Sequence, residues 1–512
     1  MCVHSPKIPK FSGASDFLTA FLGYTLSEEP CFSGFGRKKA VVFLFTDEYA
    51  AMGIIDDLTG AVGRGINLMM DREIRLGVTG LSRGGKTAFI TSLVNILSTF
   101  GEVGTAERLP RFTAYEEKNI SYGGPAKPRD LKVAAFPYLR ACDSLFAENP
   151  TWPEPTSGIS EIRLELVYEK KDLLSFSRKG RLYIDIWDYP GEWLMDLMLL
   201  KLSYAEFSDR IRKRTAALSA VTDVSSWLKA GALLKADAPV NVNELHHVVR
   251  LYTDWLRESK DRGFAMVVPG RFVLPGDLEG APILEFVPWV WDLPDGCGEG
   301  SLYRIMEERY DAYREKVVRK FYRDCFSGLD RQVILIDCLR ALMGGRETFM
   351  DINETFDVLM ENFSYGGSSI LGRLFSPKID RVIFAATKAD TVTMDQYANL
   401  LSLLRSMVKQ AASRVRADGS NCEFMILSAI KAAKCMYAEH EGKKVQVLKT
   451  DYDDEPPFFP GSIPSGWSRE GMEFFQKYFK MRELRPPKLN PGEPIPGINM
   501  DVLLQYILGD KM

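Results

Sequence analysis

Histidine is almost missing from this chain, at four among 512 residues, and its eight cysteines include no CxxC pair. Zinc sites are built from those two residue types at short ligand spacing, so no zinc domain is expected. The cysteines (Cys2, Cys31, Cys142, Cys297, Cys325, Cys338, Cys422 and Cys435) are scattered and read as reduced thiols of a cytoplasmic protein. No run of about 18 apolar residues occurs, which argues against a transmembrane helix. The opening MCVHSPKIPKF also lacks the continuous apolar stretch of a secretory signal. A basic excess is lacking too. Lys and Arg number 65 against 68 Asp and Glu, and a net charge of −3 sets up no global field to draw nucleic acid. Internal repeats and long low-complexity tracts are absent from the pattern.

What remains is an ordinary globular composition, 46% hydrophobic and 26% charged. The length suits roughly three domains, or one domain carrying large insertions. Residues 1–53 are irregular and receive no role. Residues 54–70 carry apolar side chains at helical spacing; they could rest on a lipid surface, but two Asp and three Gly favour packing on the core. Apolar runs predict strands over 74–79, 161–168, 181–188, 332–339, 380–386 and 423–429. Most are separated by helical stretches, so they predict a mostly parallel sheet covered on both faces; 161–168 and 181–188 fit an antiparallel hairpin. Between 194 and 331, LMDLMLLKLSYAEF, VNELHHVVRLYTDWLRES and LYRIMEERYDAYREKVVRKFYRDCF read as helices of an insertion. KVQVLKT and the Pro-rich PPFFPGSIPSG suggest a small β-containing C-terminal appendage.

The first strand runs into Gly80-Leu81-Ser82-Arg83-Gly84-Gly85-Lys86-Thr87, which meets the pattern GxxxxGK[ST]. A chance match in a chain of this length arises on the order of 2% of the time. Glycines let backbone N–H groups of Gly80, Ser82, Arg83, Gly84, Gly85 and Ala88 turn towards phosphate oxygens. Lys86 is placed to neutralise the β- and γ-phosphates, the Thr87 hydroxyl to ligate Mg²⁺, and the helix that follows to add its dipole.

Three further motifs specify the nucleotide. Asp188-Tyr189-Pro190-Gly191-Glu192 is a DxxG at a strand end, where Asp188 can hold the Mg²⁺ shell through water and the Gly191 N–H can reach a γ-phosphate. Thr387-Lys388-Ala389-Asp390 matches [NT]KxD. The Asp390 carboxylate would accept from the guanine N1–H and amine, a donor pair adenine lacks, with the Lys388 stem along the base. Thr387 stands where Asn is commoner. Ser428-Ala429-Ile430 follows at the next strand end, with backbone N–H groups for the guanine oxygen, and Thr156 has the position of a switch threonine for Mg²⁺ and γ-phosphate. Glu192 sits where a water-orienting Gln is common, although its charge is unfavourable there. Arg83 occupies the loop position at which guanylate-binding proteins, with a similar GLxRxGKS loop, carry an internal arginine finger.

The order GLSRGGKT, WPEPT, DYPGEW, TKAD and SAI, with the ending LLQYILGD, resembles the YcjX-like family of bacterial P-loop GTPases from about residue 66 to 512. The resemblance implies a Ras-like α/β core with inserted helices, and a link to stress responses of the phage-shock envelope type. The expected layout is an extension over 1–53, core over 54–193 and 332–436, a helical insertion over 194–331 and the appendage over 437–512. The expected function is a GTP-hydrolysing switch that uses Mg²⁺ and acts on a protein effector, with peripheral membrane contact left open. A nucleotide-binding module with negligible hydrolysis and an ATPase are the alternatives.

Overall fold

The computed structural model describes residues 72–81, 84–102, 104–170, 179–326, 328–362, 379–440, 442–466, 468–490 and 492–512. The N-terminal extension, the amphipathic stretch over 54–70, and Ser82 and Arg83 lie outside the described residues. Among those residues the chain builds an eight-stranded sheet in the order β2-β4-β5-β1-β6-β7-β8, with a short β3 against β4. These are β1 (Arg72–Gly80), β2 (Tyr122–Pro125), β3 (Ala134–Ala135), β4 (Ser160–Glu169), β5 (Lys179–Asp188), β6 (Arg331–Ile336), β7 (Arg381–Ala386) and β8 (Asn421–Ile426).

The run β5-β1-β6-β7-β8 is parallel throughout, while β4 pairs antiparallel with β5 as the expected hairpin. Register carries the consequence for function. Gly80 pairs with Leu335, Ile336 with Ala386, and Ala386 with Ile426, so the loops leaving β1, β6, β7 and β8 emerge along one edge. In parallel α/β sheets that carboxyl edge is where ligands bind.

Strand alternation divides the core. Val333, Leu335, Ile383 and Ala385 face one layer, made by helix α1 (Lys86–Ser98) and the last helix, Met500–Leu508. Ile334, Ile336, Val382 and Phe384 face the other, which is continuous with the insertion and with Tyr397–Met407. Both faces of each central strand are therefore dry, which explains the unbroken apolar runs in the sequence.

Three strand or helix readings change, the first being the run over 423–429, which is strand only to Ile426. The run over 332–339 is strand only to Ile336; Asp337 then accepts from the Arg340 N–H at 3.0 Å and caps a helix, Cys338–Met343. An apolar run by itself does not separate strand from buried helix. The segment 194–207 is two pieces rather than one helix. A 3₁₀ helix covers Gly191–Lys201, and Ser203 with Glu206 forms a capping box that starts α2 (Tyr204–Leu218).

Candidate functional site

The loop after β1 takes its shape from glycine. Gly85 has φ of 86°, a left-handed conformation that disfavours a side chain, and it precedes α1. A Cβ on Gly84 would approach the Leu81 and Leu335 carbonyl oxygens to 3.0 and 3.3 Å. No side chain caps α1, so the N–H groups of its first turn keep their capacity for an anion. Lys86 is buried, and its Nζ donates to the carbonyl of Gly80 at 3.3 Å. Burial lowers the affinity of Lys86 for its proton; Asp188 and Glu192 oppose that, and Lys260 adds to it.

The β5 end brings in the next group. The Thr156 hydroxyl donates to Asp188 Oδ2, and Thr156 Oγ1 lies 3.2 Å from Thr87 Oγ1. Asp188 Oδ1 is buried with no hydrogen-bond partner among the described residues. Burial pushes the Asp188 carboxyl up, and Lys86 pulls it back. Two hydroxyls beside an under-satisfied carboxylate are the hard oxygen donors that suit Mg²⁺.

The β7 and β8 ends are joined around Asp390, which is 5% exposed. Its Oδ1 accepts from Ser428 Oγ at 2.7 Å and its Oδ2 from the Ala432 N–H at 2.8 Å. Burial pushes this carboxyl up as well. Lys388 has φ of 58° and pairs through Nζ with Asp337 Oδ2 at 2.7 Å. The Thr387 hydroxyl is buried with no partner among the described residues.

A cavity of about 720 Å³ unites these loops. Gly84, Gly85, Lys86, Thr87, Ala88, Thr156, Gly191, Glu192, Thr387, Lys388, Asp390, Ser428, Ala429 and Ile430 all line it. Gly80 and Asp188 stand behind it, reached through Lys86 and Thr156. Ser82 and Arg83 are outside the described residues.

Five contributors have no site role in the sequence reading. Asp337, placed directly after an apolar strand, offered a positional signal. Trp152 donates through Nε1 to the Leu484 carbonyl at 2.9 Å, and Met481–Pro486 forms part of the cavity wall. Arg340 also lines the cavity. Lys260 Nζ stands 2.7 Å from Glu192 Oε1, so Glu192 is held by an ion pair. Trp152 belongs to the WPEPT motif, whereas Met481–Pro486, Arg340 and Lys260 have no local signature.

The segment after Glu192 is embedded in the insertion. A Cβ on Gly270 would lie 2.0 Å from the Glu192 carbonyl oxygen, so only glycine allows this approach. Asp196, 1% exposed, accepts from the Gly270 N–H at 2.7 Å and from Tyr313 Oη at 2.5 Å. Burial pushes its carboxyl up to about 6, against the opposing pull of Tyr313, Gly270 and Arg271. The folded state therefore binds this proton more tightly than the unfolded chain, whose ordinary value is 3.8. The resulting stability is full below pH 3.8 and is lost as pH rises through about 6. Between pH 3.5 and 7, Asp196→Asn is expected to lose less unfolding free energy than the wild type, by up to about 3 kcal/mol. Urea denaturation at a series of pH values checks this; parallel pH profiles would remove Asp196 as the titrating group.

Among the described residues, no helix is long and apolar enough to cross a membrane. The protein of Escherichia coli K12 named Ras-like GTPase YcjX is 37% identical over 473 residues, covering 89% of this chain and 99% of the relative. Its namesake from Shewanella oneidensis is 38% identical over 468 residues, with 86% and 95% covered. The sequence profile of the YcjX-like family, DUF463, matches residues 74–512. With that match running from β1 to the last residue of the chain, and its α/β sheet corresponding to a Ras-like core, the chain belongs to the YcjX-like family.

Proposed function

We propose that this protein binds guanine nucleotide with Mg²⁺ and hydrolyses GTP to GDP and phosphate, working as a molecular switch. The observation that carries this reading is one cavity lined both by the phosphate loop and by Asp390 with its Ser428 partner. The name shared by the two relatives, Ras-like GTPase, supports the hydrolytic part.

Thr87 and Thr156, with Asp188 through water, would hold Mg²⁺, whose charge offsets that of the phosphates when it is bound. Lys86 binds the β- and γ-phosphates, and the Gly191 N–H reaches the γ-phosphate. Asp390 accepts from the guanine edge, the Ser428–Ile430 backbone donates to the guanine oxygen, and the Lys388 stem runs along the base while Asp337 holds its ammonium. Arg83 is the residue proposed to meet charge developing between the β- and γ-phosphates. In this reading the insertion conveys the nucleotide state to a protein effector in a bacterial stress response, as the motif resemblance implies.

A second reading, nucleotide binding with negligible hydrolysis, draws support from Glu192. Its carboxylate is engaged by Lys260 rather than held free to orient water. Single-turnover GTP hydrolysis by the purified protein, with and without Mg²⁺, separates the two. Arg83→Ala is expected to lower that rate by about 10³-fold while GDP affinity is kept. An unchanged rate would remove the finger. Displacement of labelled GDP by ATP as well as by GTP would overturn the guanine assignment.

A further inference from the structure

Lys260 lies in the last turn of α3 (Val242–Asp261), the long helix of the insertion. A lysine there is favoured by the helix dipole alone. Its surroundings ask for more. Its Nζ is 2.7 Å from Glu192 Oε1, and the two side chains are 25% and 10% exposed. Glu192 lines the nucleotide cavity beside Lys86 and Thr87. Lys260 itself borders a second, small cavity with Leu81 and Gly84 of the phosphate loop, and Gly84 lines both cavities.

Among the described residues, Lys86 interacts electrostatically with Asp188, Glu192 and Lys260, and Asp337 and Arg340 border the small cavity beside Lys260. Burial raises the cost of the Glu192 charge, yet Lys260 brings the carboxyl below the usual range and keeps it ionised. A γ-phosphate entering beside an ionised Glu192 meets like charge at low dielectric. GDP brings no such group. The ion pair with Lys260 is therefore one contact whose energy depends on the γ-phosphate.

Resting on the guanine-nucleotide reading, we propose that Lys260 is a γ-phosphate-recognition residue supplied by the helical insertion, with Glu192 as its counter-ion when that phosphate is absent. Arrival of the γ-phosphate exchanges one anionic partner of Lys260 for another and frees Glu192. The insertion senses the nucleotide through a residue of its own, without waiting for a movement of the sheet.

The test measures Kd for GDP and for a non-hydrolysable GTP analogue, by calorimetry on the full chain with Mg²⁺. Lys260→Ala is expected to weaken the analogue about tenfold and leave GDP within about twofold, the loss of one charge-assisted contact. Lys260→Arg should retain the wild-type ratio. Glu192→Gln, close in shape, should tighten the analogue relative to GDP by several-fold. It also carries the test if Lys260→Ala fails to fold. Equal weakening of both ligands in Lys260→Ala, or an unmoved ratio in Glu192→Gln, would overturn the inference and leave Lys260 a structural tie. Wild-type protein that binds neither nucleotide would overturn the nucleotide-site reading, and this inference with it.

Discussion

Lys86→Ala is expected to weaken guanine-nucleotide binding by roughly 10² to 10³-fold, the cost of truncating one partner of a buried, hydrogen-bonded charge contact. The side chain is buried, its Nζ contacts the Gly80 carbonyl, and Asp188 and Glu192 both act on it electrostatically. Its loss removes the phosphate partner and the cation that offsets the buried Asp188 charge. The free protein itself should respond little or lose modest stability, because Asp188 then becomes easier to protonate. Titration with fluorescently labelled GDP, alongside a thermal melt, reads both effects. An affinity within threefold of wild type would falsify the assignment of this loop as the phosphate grip.

The second large effect concerns the base. Asp390→Asn is expected to lower GDP and GTP affinity at least about 100-fold, since an amide presents a donor to the guanine amine and leaves buried groups unpaired. The same donor suits the carbonyl that xanthine carries in that position, so xanthine nucleotides should gain affinity. The surroundings can absorb the change. The Asn oxygen can accept from the Ala432 N–H, and the Ser428 hydroxyl can turn to accept from the new amide. Competition binding with guanine, xanthine and adenine nucleotides decides the point. If all three retain their wild-type order, Asp390 has a structural role only.

Local chemistry was the legible part of this protein. The phosphate loop needs glycine where a Cβ would strike the Leu81 and Leu335 carbonyls, and DYPGE and TKAD each stand at the end of a buried strand. Such features depend on a few consecutive residues and on strand periodicity, so they can be read in one dimension. The extent of the strand before Asp337 was less legible, because buried strand and buried helix share the same apolar composition.

The sequence by itself thus determined six of the eight strands of the sheet, the order of the loops that leave them and the motif residues those loops carry. Only the tertiary structure decided which side chains answer them from elsewhere. Lys260 holds Glu192, Asp337 holds Lys388, Gly270 admits the Glu192 backbone, and Leu484 meets Trp152. Each pair joins segments far apart along the chain. A salt bridge or a close backbone approach has no period and no spacing, and it exists only once packing has fixed the distance.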